Sequence, residues 1–383
     1  MSSQQPRNLT EFELMAQVSR LDLADGHANH SLHPETLAAL ENTFAATLKE
    51  ERHGLVHRVE REFLSALGRH TGQPYAAGSS HIIYSASVGV DIMAKYLAVR
   101  RLRTGMITPT FDNLPALMTM TGVELVPVPE KRVMPDPDLD ELTRLDLDAL
   151  FLVLPNNPTG TGMDEAALRR LFAWGADHRV VIVVDASFRL LDPRACVDLI
   201  AVAEEAGADA VTVDDTGKTV SLQDTKASVL SVTHRLRDPV SEVVSHCLLN
   251  VSCLDLRLLT TVLSMPPDCD EILRARTLAR RNRALLRAML ESCGRTGCLP
   301  DRAPGEDSAL SIEWLRIGPE RDRVLRRCRD QGLQLLPGQP FFWAASGGEQ
   351  PPVGEWVRIA LLRDPEEFQR GADIFTAALR ARA

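Results

Sequence analysis

The sequence predicts an α/β fold in which a large domain, built on a mostly parallel sheet flanked by helices, is joined to a smaller α+β domain. The chain has 383 residues, about two and a half times the roughly 150 residues of a typical domain. Between residues 105 and 232, short apolar runs alternate with segments mostly long enough for a helix or crossover, as is typical of a parallel sheet. After about residue 265 this alternation ends, which indicates a second unit.

The predicted large domain begins with helices and continues with strands. Apolar residues from Leu37 to Leu48 recur at helical spacing within residues 35–70, and a further helix is predicted from about Val88 to Arg101. The apolar runs that predict strands lie at residues 105–109, 123–128, 149–154, 180–184, 209–213 and 227–232. We expect polar residues at the ends of these strands to form the functional site, because open α/β sheets bind ligands beyond the carboxyl ends of their strands.

The residues after 265 predict the smaller domain. It begins with a long, arginine-rich helix around residues 271–291, and a helix closes the chain. Its predicted strands lie near residues 309–317, 333–336 and 356–362. Glycines and two prolines predict a loop at residues 347–354.

Composition and charge favour a small-molecule partner in the cytoplasm. Lys and Arg total 43 and Asp and Glu total 52, for a net charge of −9, and the scattered basic residues predict neither nucleic-acid nor membrane binding. The apolar runs are far shorter than the roughly 18 residues of a membrane helix, and no secretion signal is evident. The seven cysteines form no C-x-x-C pair, so we expect reduced thiols.

Four predicted strand ends carry residues suited to chemistry. They are the segments 109–113, 156–160, 185–188 and 215–218, which read PTFDN, NNPTG, DASF and DTGK. Taken singly, such segments are ordinary turns, helix caps or solvated lysines. Their joint order is the informative feature.

In this order the motifs resemble the fold type I aminotransferase family, which depends on pyridoxal 5′-phosphate (PLP), and the resemblance runs through most of the chain. It implies that Lys218 is the Schiff-base lysine and that Asp185 pairs with the pyridine nitrogen, where a carboxylate keeps the ring protonated and electron-withdrawing. It further implies that Asn157 bonds the ring phenolate oxygen and that Phe111 stacks on the ring. Arg358 matches the arginine that holds the substrate carboxylate, which its two-pronged guanidinium suits.

The remaining cofactor residues are expected around the phosphate and beside Asp185. Ser85, Ala86 and Ser87 open a predicted helix, whose free N–H groups and dipole favour an anion. Lys226 stands where many relatives have an arginine and supplies charge without the two-pronged geometry. Ser187 belongs to the same motif as Asp185.

With two departures from the common aminotransferase pattern, the sequence resembles a narrower branch of the family. This branch is the PLP-dependent L-arginine hydroxylases and oxidases of enduracididine-type natural-product pathways. Phe188 replaces a tyrosine that donates to the phenolate oxygen in many aminotransferases, and Asp215 lies close to the reacting lysine. The segments 9–13 and 25–28, which read LTEFE and DGHA, also resemble this branch.

This narrower resemblance implies further substrate residues. Thr10 and Glu13 would face the substrate guanidinium, and Asp215 would supply a second carboxylate, either within the chain or across a subunit interface. Thr10 and Glu13 also form a capping box, and both interpretations can hold at once. His27 would lie over the cofactor and orient water or move protons. His27 and His30 do not predict a metal site, because no further ligand cluster accompanies them.

The resemblance also implies the reaction, the assembly and the domain boundaries. L-Arginine would be oxidised by O2, without metal or flavin, to 4-hydroxy-2-oxoarginine or 2-oxoarginine, with release of H2O2 and ammonia. An aminotransferase or a capreomycidine-forming type of cyclase remains the alternative. We expect a homodimer. The expected divisions are an N-terminal active-site segment at 1–34 that belongs to the small domain, a large PLP-binding domain at 35–265 and a small domain at 266–383.

Overall fold

The computed structural model describes residues 6–51, 53–301, 303–305, 308–344 and 353–380. The loop predicted at 347–354 lies mostly outside these residues. Within the described ranges, none of the helices combines the length and the apolar character that crossing a membrane requires.

Strands and α-helices alternate between residues 80 and 215. The strands are β1 Leu21–Asp22, β2 Ser80–Ile83, β3 Thr104–Thr108, β4 Leu125–Pro129, β5 Ala149–Val153, β6 Val181–Asp185, β7 Ala210–Asp215, β8 Ser228–Val232, β9 Ile312–Arg316, β10 Leu333–Gln334, β11 Leu336–Pro337 and β12 Trp356–Ala360. The α-helices are α1 Leu9–Gln17, α2 Pro34–Thr47, α3 Leu55–Thr71, α4 Ala86–Val99, α5 Asn113–Met120, α6 Leu139–Arg144, α7 Glu165–His178, α8 Leu199–Glu205, α9 Arg237–Cys247, α10 Cys253–Leu263, α11 Glu271–Ser292, α12 Arg321–Asp330 and α13 Pro365–Arg380.

The large sheet has seven strands in the order β2-β8-β7-β6-β5-β3-β4. Strands β3 to β7 pair in parallel, whereas β8 is antiparallel to both β7 and β2. The six predicted apolar runs correspond to β3 to β8. Strand β2 was not predicted, because only Ile83 of its four residues is fully buried and the apolar pattern is correspondingly weak.

The helical region predicted at residues 35–70 is two helices, and most of its apolar stripe does not face the core, although Leu40 is buried in a core cluster. Helix α2 ends at Thr47, and Gly54, with a φ of 65°, precedes α3. Of the apolar residues in the predicted stripe, Leu37 and Leu48 are 49% and 66% exposed. The spacing predicts the helix correctly, but spacing alone does not say what covers the stripe.

The smaller unit combines a three-stranded antiparallel sheet, in the order β11-β12-β9, with the parallel pair β1-β10. The single strand predicted at 333–336 is therefore wrong in detail, because β10 and β11 belong to different sheets. Strand β1 brings the N-terminal segment to β10, and Leu23 packs with Leu315 and Phe375 in the core of this unit. The N-terminal segment thus packs with C-terminal residues that are distant in sequence.

A buried ion pair joins α11 to β9. Arg283 and Glu313 are 0% and 1% exposed and form a salt bridge, and Arg287 also contacts Glu313 at 2.7 Å. Arg283 further donates to the carbonyl oxygens of Leu310 and Ile312. Removing the carboxylate would therefore leave a buried cation without its counter-charge.

We expect Glu313→Gln to lower the free energy of unfolding by about 3–5 kcal/mol, the usual cost of leaving one partner of a buried pair uncompensated. Glu355→Gln is the matched control. Glu355 pairs at a partly exposed site with Arg316, which lies on β9 as Glu313 does, and losing this pair should cost at most about 1 kcal/mol. Urea denaturation measures both values. Equal losses would show that the buried pair has no special role.

Candidate active site

A cavity lies where the carboxyl ends of β5, β6 and β7 meet, and α1 contributes to its lining. The predicted site residues that line it are Thr10, Glu13, His27, Ser85, Ala86, Ser87, Phe111, Asn157, Asp185, Ser187, Asp215, Lys218 and Lys226. Arg358 is fully buried and donates to Asn157 Oδ1 at 3.2 Å and to Glu13 Oε1 at 2.7 Å. The structure therefore brings together the residues that the sequence singled out, although their individual roles stay predictions.

Asp185 ends β6 at the floor of the cavity. The hydroxyl and the backbone N–H of Ser187 both donate to Asp185 Oδ1, at 2.5 and 3.0 Å. Burial raises the pKa of the Asp185 carboxyl to about 6, although the Ser187 hydrogen bonds act in the opposite direction. A cationic ring nitrogen beside this carboxyl would favour its ionised form. The group is thus suited to pair with a pyridinium nitrogen.

The N-terminus of α4 faces the same cavity and is suited to a phosphate. Ser85 caps this 14-residue helix by accepting from the N–H of Val88 at 3.3 Å. A Cβ at Gly89 would lie 2.8 Å from Ile83 Cδ1 and 3.0 Å from Val213 Cγ1, so the glycine allows α4 to lie directly on the sheet. Helix N-termini attract anions through their free N–H groups and dipole. The predicted phosphate site is therefore structurally reasonable.

Lys218 lies in the turn that follows β7. Thr216 anchors this turn, because its backbone N–H and its hydroxyl both donate to the Ala227 carbonyl, at 3.2 and 3.0 Å. The Lys218 ammonium lies 5.9 Å from the centre of the Phe188 ring. The turn holds the amine in the cavity, beside an aromatic ring that offers no hydroxyl.

A buried ion pair joins the loops that carry Asp185 and Lys218. Arg189 contacts Asp214 at 2.9 Å, and both side chains are almost fully buried. Tyr75 donates to Asp214 Oδ2, also at 2.9 Å. Since Arg189 follows β6 and Asp214 lies near the end of β7, the pair fixes the two strand ends relative to each other.

His27 is held by Asp25, a carboxylate that the sequence analysis quoted within the segment 25–28 without giving it a role. Asp25 Oδ1 lies 2.7 Å from His27 Nδ1 and also accepts from the His27 backbone N–H at 2.9 Å. Burial alone raises the pKa of the Asp25 carboxyl, but the His27 hydrogen bond and charge and the charge of Lys218 outweigh burial and hold the pKa well below its usual range. An ionised carboxylate only accepts, so His27 Nδ1 donates to Asp25.

Lys226 lies on the other side of His27, with its ammonium 3.2 Å from Nε2. A Cβ at Gly217 would lie 2.9 Å from Lys226 Cδ, so only a glycine leaves room for this side chain. The predicted phosphate ligand thus also contacts the predicted proton-transfer residue.

The two-residue spacing of Asp25 and His27, typical of a turn in which an aspartate accepts from the backbone two residues on, was the signal that could have found Asp25.

The acidic residues of the cavity are held in different ways. Glu13 is 8% exposed and is bonded to Arg358, and Asp215 accepts from the Ser228 hydroxyl at 2.7 Å. Glu13 and Arg358, which the resemblance assigns to opposite ends of one substrate, therefore contact each other. A buried guanidinium needs a counter-charge, and Glu13 supplies it.

Asp112 was part of a quoted motif but had no assigned role, and it holds the start of α1. Its Oδ2 accepts from the Leu9 backbone N–H at 2.9 Å. The capping box predicted at Thr10 and Glu13 is wrong, because Asn8 caps α1 by accepting from the Glu11 N–H, and Thr10 lies inside the helix. Burial raises the pKa of the Asp112 carboxyl to about 6, and the charge of Glu13 acts in the same direction. No local pattern reveals this contact, because the two residues are 103 positions apart.

His33, Glu35 and Cys269 form a separate group of potential metal ligands, with donor atoms within 4.8 Å of one another. The Cys269 thiol donates to Glu35 Oε2 at 3.0 Å, and this hydrogen bond raises the pKa of the thiol to about 11. The Glu35 N–H donates to His33 Nδ1 at 3.3 Å. These hydrogen bonds account for the arrangement, and the predicted absence of a metal stays a prediction.

Solved structures share this fold over nearly their whole length. A structure of MppP soaked with the product 2-ketoarginine is 30% identical, with a TM-score of 0.82, and the match covers 94% of this chain and 99% of that one. Aspartate aminotransferase from Thermus thermophilus with maleate is 17% identical, with a TM-score of 0.76 and 98% and 97% coverage. An aminotransferase from Mycobacterium tuberculosis is 18% identical, with a TM-score of 0.78 and 99% and 98% coverage. No curated protein sequence matches the chain.

The fold type I prediction is confirmed by these structures and by the family profile. The profile of the family described as aminotransferase class I and II matches residues 22–375, which is most of the chain. Members of this family are enzymes that act on small molecules and are typically homodimers. The chain therefore belongs to the aminotransferase class I and II family, and its cofactor is pyridoxal 5′-phosphate.

Proposed function

We propose that this enzyme oxidises L-arginine with O2, giving 2-oxoarginine or its 4-hydroxy derivative and releasing ammonia and H2O2. The observation that carries the proposal is the pair of buried carboxylates, Glu13 and Asp215, on a cavity that also contains Lys218. Carboxylates bind a guanidinium through paired, charge-assisted hydrogen bonds. The likeness to MppP supports the same substrate class, since the named product of that protein is 2-ketoarginine.

When bound, PLP supplies an electron sink for the electrons that the substrate Cα releases. In the proposed reaction Lys218 takes the Cα proton, and Asp185 holds a proton on the pyridine nitrogen through its fixed carboxyl. The side-chain oxygen of Asn157 is already used by Arg358, which leaves the Asn157 amide N–H group as the donor for the ring oxygen. Phe188 offers no second donor.

His27 is suited to move a proton on water or on the substrate. Asp25 accepts from the Nδ1–H and orients the ring, so Nε2 is the atom that would exchange a proton. In the hydroxylating outcome we assign His27 the activation of the water that adds at Cγ. In the simpler oxidase outcome this step is absent.

An aminotransferase is the second candidate. Asn157, Asp185, Lys218 and Arg358 would serve it equally well, and the family membership favours it. The two candidates differ in their second substrate, because an aminotransferase needs a 2-oxo acid as amino acceptor and an oxidase needs O2. A cyclase acting on arginine or a related amino acid would require neither a 2-oxo acid nor release of ammonia.

The first prediction concerns oxygen. With L-arginine and no 2-oxo acid, the PLP-loaded enzyme should consume O2 in an oxygen electrode and release ammonia and H2O2, with the oxo acids identified by mass spectrometry. Lys218→Ala should show no uptake and lose the visible absorption of the loaded protein, because the amine that binds PLP and moves the proton is gone. Lys95→Ala is the control, because Lys95 lies on α4 outside the cavity lining, is partly exposed and pairs with Asp91. Turnover that depends on a 2-oxo acid would instead establish an aminotransferase.

The second prediction concerns Asp25 as a positioning residue. In the hydroxylating outcome, Asp25→Asn should lower the rate at which 4-hydroxy-2-oxoarginine forms roughly tenfold or more, with KM for arginine little changed, because the His27 ring loses the charge that orients its Nδ1–H. Steady-state kinetics should also show that Asp25→Asn combined with His27→Ala is no slower than His27→Ala alone. Additive losses would mean that Asp25 acts independently of His27.

The third prediction follows from the raised pKa of Asp185, about 6 against an ordinary 3.8. Between these values the folded chain holds a proton that the unfolded chain has released, so this group makes the cofactor-free protein less stable as pH rises from about 4 to about 6. Asp185→Asn should remove this group's share of the decline and weaken PLP retention, whereas Asp112, whose pKa is also raised to about 6, keeps its own share. Thermal unfolding of both cofactor-free proteins over this pH range measures the effect, and parallel Tm curves would contradict it.

A further inference from the structure

The guanidinium of Arg358 already holds a carboxylate from its own chain. Arg358 Nη2 donates to Glu13 Oε1 at 2.7 Å, and the Gly26 backbone N–H donates to the same oxygen at 3.3 Å. Arg358 is 0% exposed and Glu13 is 8% exposed. The two charges therefore neutralise each other in a site from which water is largely excluded.

The other contacts of Arg358 leave it able to accept a different carboxylate. Nη1 donates to Asn157 Oδ1 at 3.2 Å, and Nη2 also donates to the Ala24 carbonyl. Nε is buried and has no hydrogen-bond partner within the described residues. The rings of Phe111 and Phe341, 5.8 and 5.7 Å from the guanidinium, keep it in place. The guanidinium is thus held by several contacts besides Glu13, so the Glu13 side chain can leave it without releasing it.

We propose that Glu13 occupies Arg358 in place of the substrate carboxylate and that substrate binding exchanges the two pairs. The incoming α-carboxylate displaces Glu13 from Arg358, and the displaced Glu13 then pairs with the cationic side chain of the same substrate. This inference rests on the proposed function for the substrate, but its central step is an exchange of ion-pair partners that binding alone reveals.

The exchange explains how one residue can select against neutral amino acids as well as for cationic ones. With a guanidinium-bearing substrate, both carboxylates and both cations remain paired throughout. With a neutral side chain, Glu13 loses Arg358 and gains nothing, which leaves a buried carboxylate without a counter-charge. Selectivity then arises partly from the penalty on the wrong ligand.

The anchoring of α1 keeps this exchange local. Asp112 holds the Leu9 N–H at the start of the helix, and Glu13 follows one helical turn later. A Cβ at Gly26 would lie 3.2 Å from Arg358 Nη2. The backbone at Gly26 therefore packs closely against the guanidinium and leaves it little space to move. We therefore expect the Glu13 side chain to change partner while the start of α1 stays bound.

Binding of L-arginine and of L-citrulline, its uncharged isostere, to the PLP-loaded enzyme without O2 tests the proposal. Dissociation constants come from the absorption change on ligand addition. Glu13→Gln should weaken arginine binding about tenfold or more and strengthen citrulline binding by about tenfold, each corresponding to about 1.4 kcal/mol. Glu11→Gln is the matched control, because Glu11 lies on the same helix but pairs with the exposed Arg7, and it should change neither constant.

The result that overturns the exchange is weaker arginine binding by Glu13→Gln with unchanged or weaker citrulline binding, which would mean that Glu13 only recognises the guanidinium. A second measurement needs no variant. Millimolar guanidinium chloride should raise the affinity of the unaltered enzyme for L-alanine, because the free cation compensates the displaced Glu13, whereas sodium chloride should not. Equal effects of the two salts would also overturn the proposal.

These outcomes are separate from those that test the reaction. If arginine causes no O2 uptake while Glu13→Gln still strengthens citrulline binding, the oxidase proposal fails and the exchange stands. If O2 uptake occurs and citrulline binding is unchanged, the exchange fails and the oxidase proposal stands.

Discussion

The buried guanidinium of Arg358 is the interaction on which the arrangement of the active site depends. It lies on β12 and contacts Glu13 of α1, the Ala24 carbonyl and Asn157 after β5. One fully buried cation therefore joins the N-terminal segment, the smaller sheet and an end of the large sheet. A buried charge without hydrogen-bonded partners is costly, so moving any of these three parts of the chain away from Arg358 would break contacts that stabilise it.

The cavity shows how position determines the chemistry of identical side chains. Burial dominates at Asp185 and Asp112 and raises the pKa of each carboxyl to about 6. At Asp25 the nearby His27 and Lys218 outweigh burial and lower the pKa. Asp185, which is to pair with a cationic ring nitrogen, and Asp25, which orients an imidazole, therefore lie in different surroundings. We infer that the second arrangement prepares His27 for proton transfer before any substrate enters.

Much of the fold follows from patterns that are local in sequence. Strands β3 to β8 were predictable because buried strands are short, continuous apolar runs bounded by turn residues. Strand β2 was missed because it is only partly buried, and the segment 333–336 was assigned to one strand although β10 and β11 enter different sheets. The motifs after β5, β6 and β7 were found because the carboxyl ends of parallel strands meet at one edge of the sheet.

By itself, the sequence determined strands β3 to β8 and the polar residues at the strand ends, because each depends on neighbours within a few positions. The tertiary structure decided which charged and polar groups meet. Glu13 and Arg358 are 345 positions apart, and Asp112 and Leu9 are 103 apart, and nothing in either local pattern specifies the other. Such pairs form because folding places charged groups where water is excluded, and there each group must find its partner within the protein.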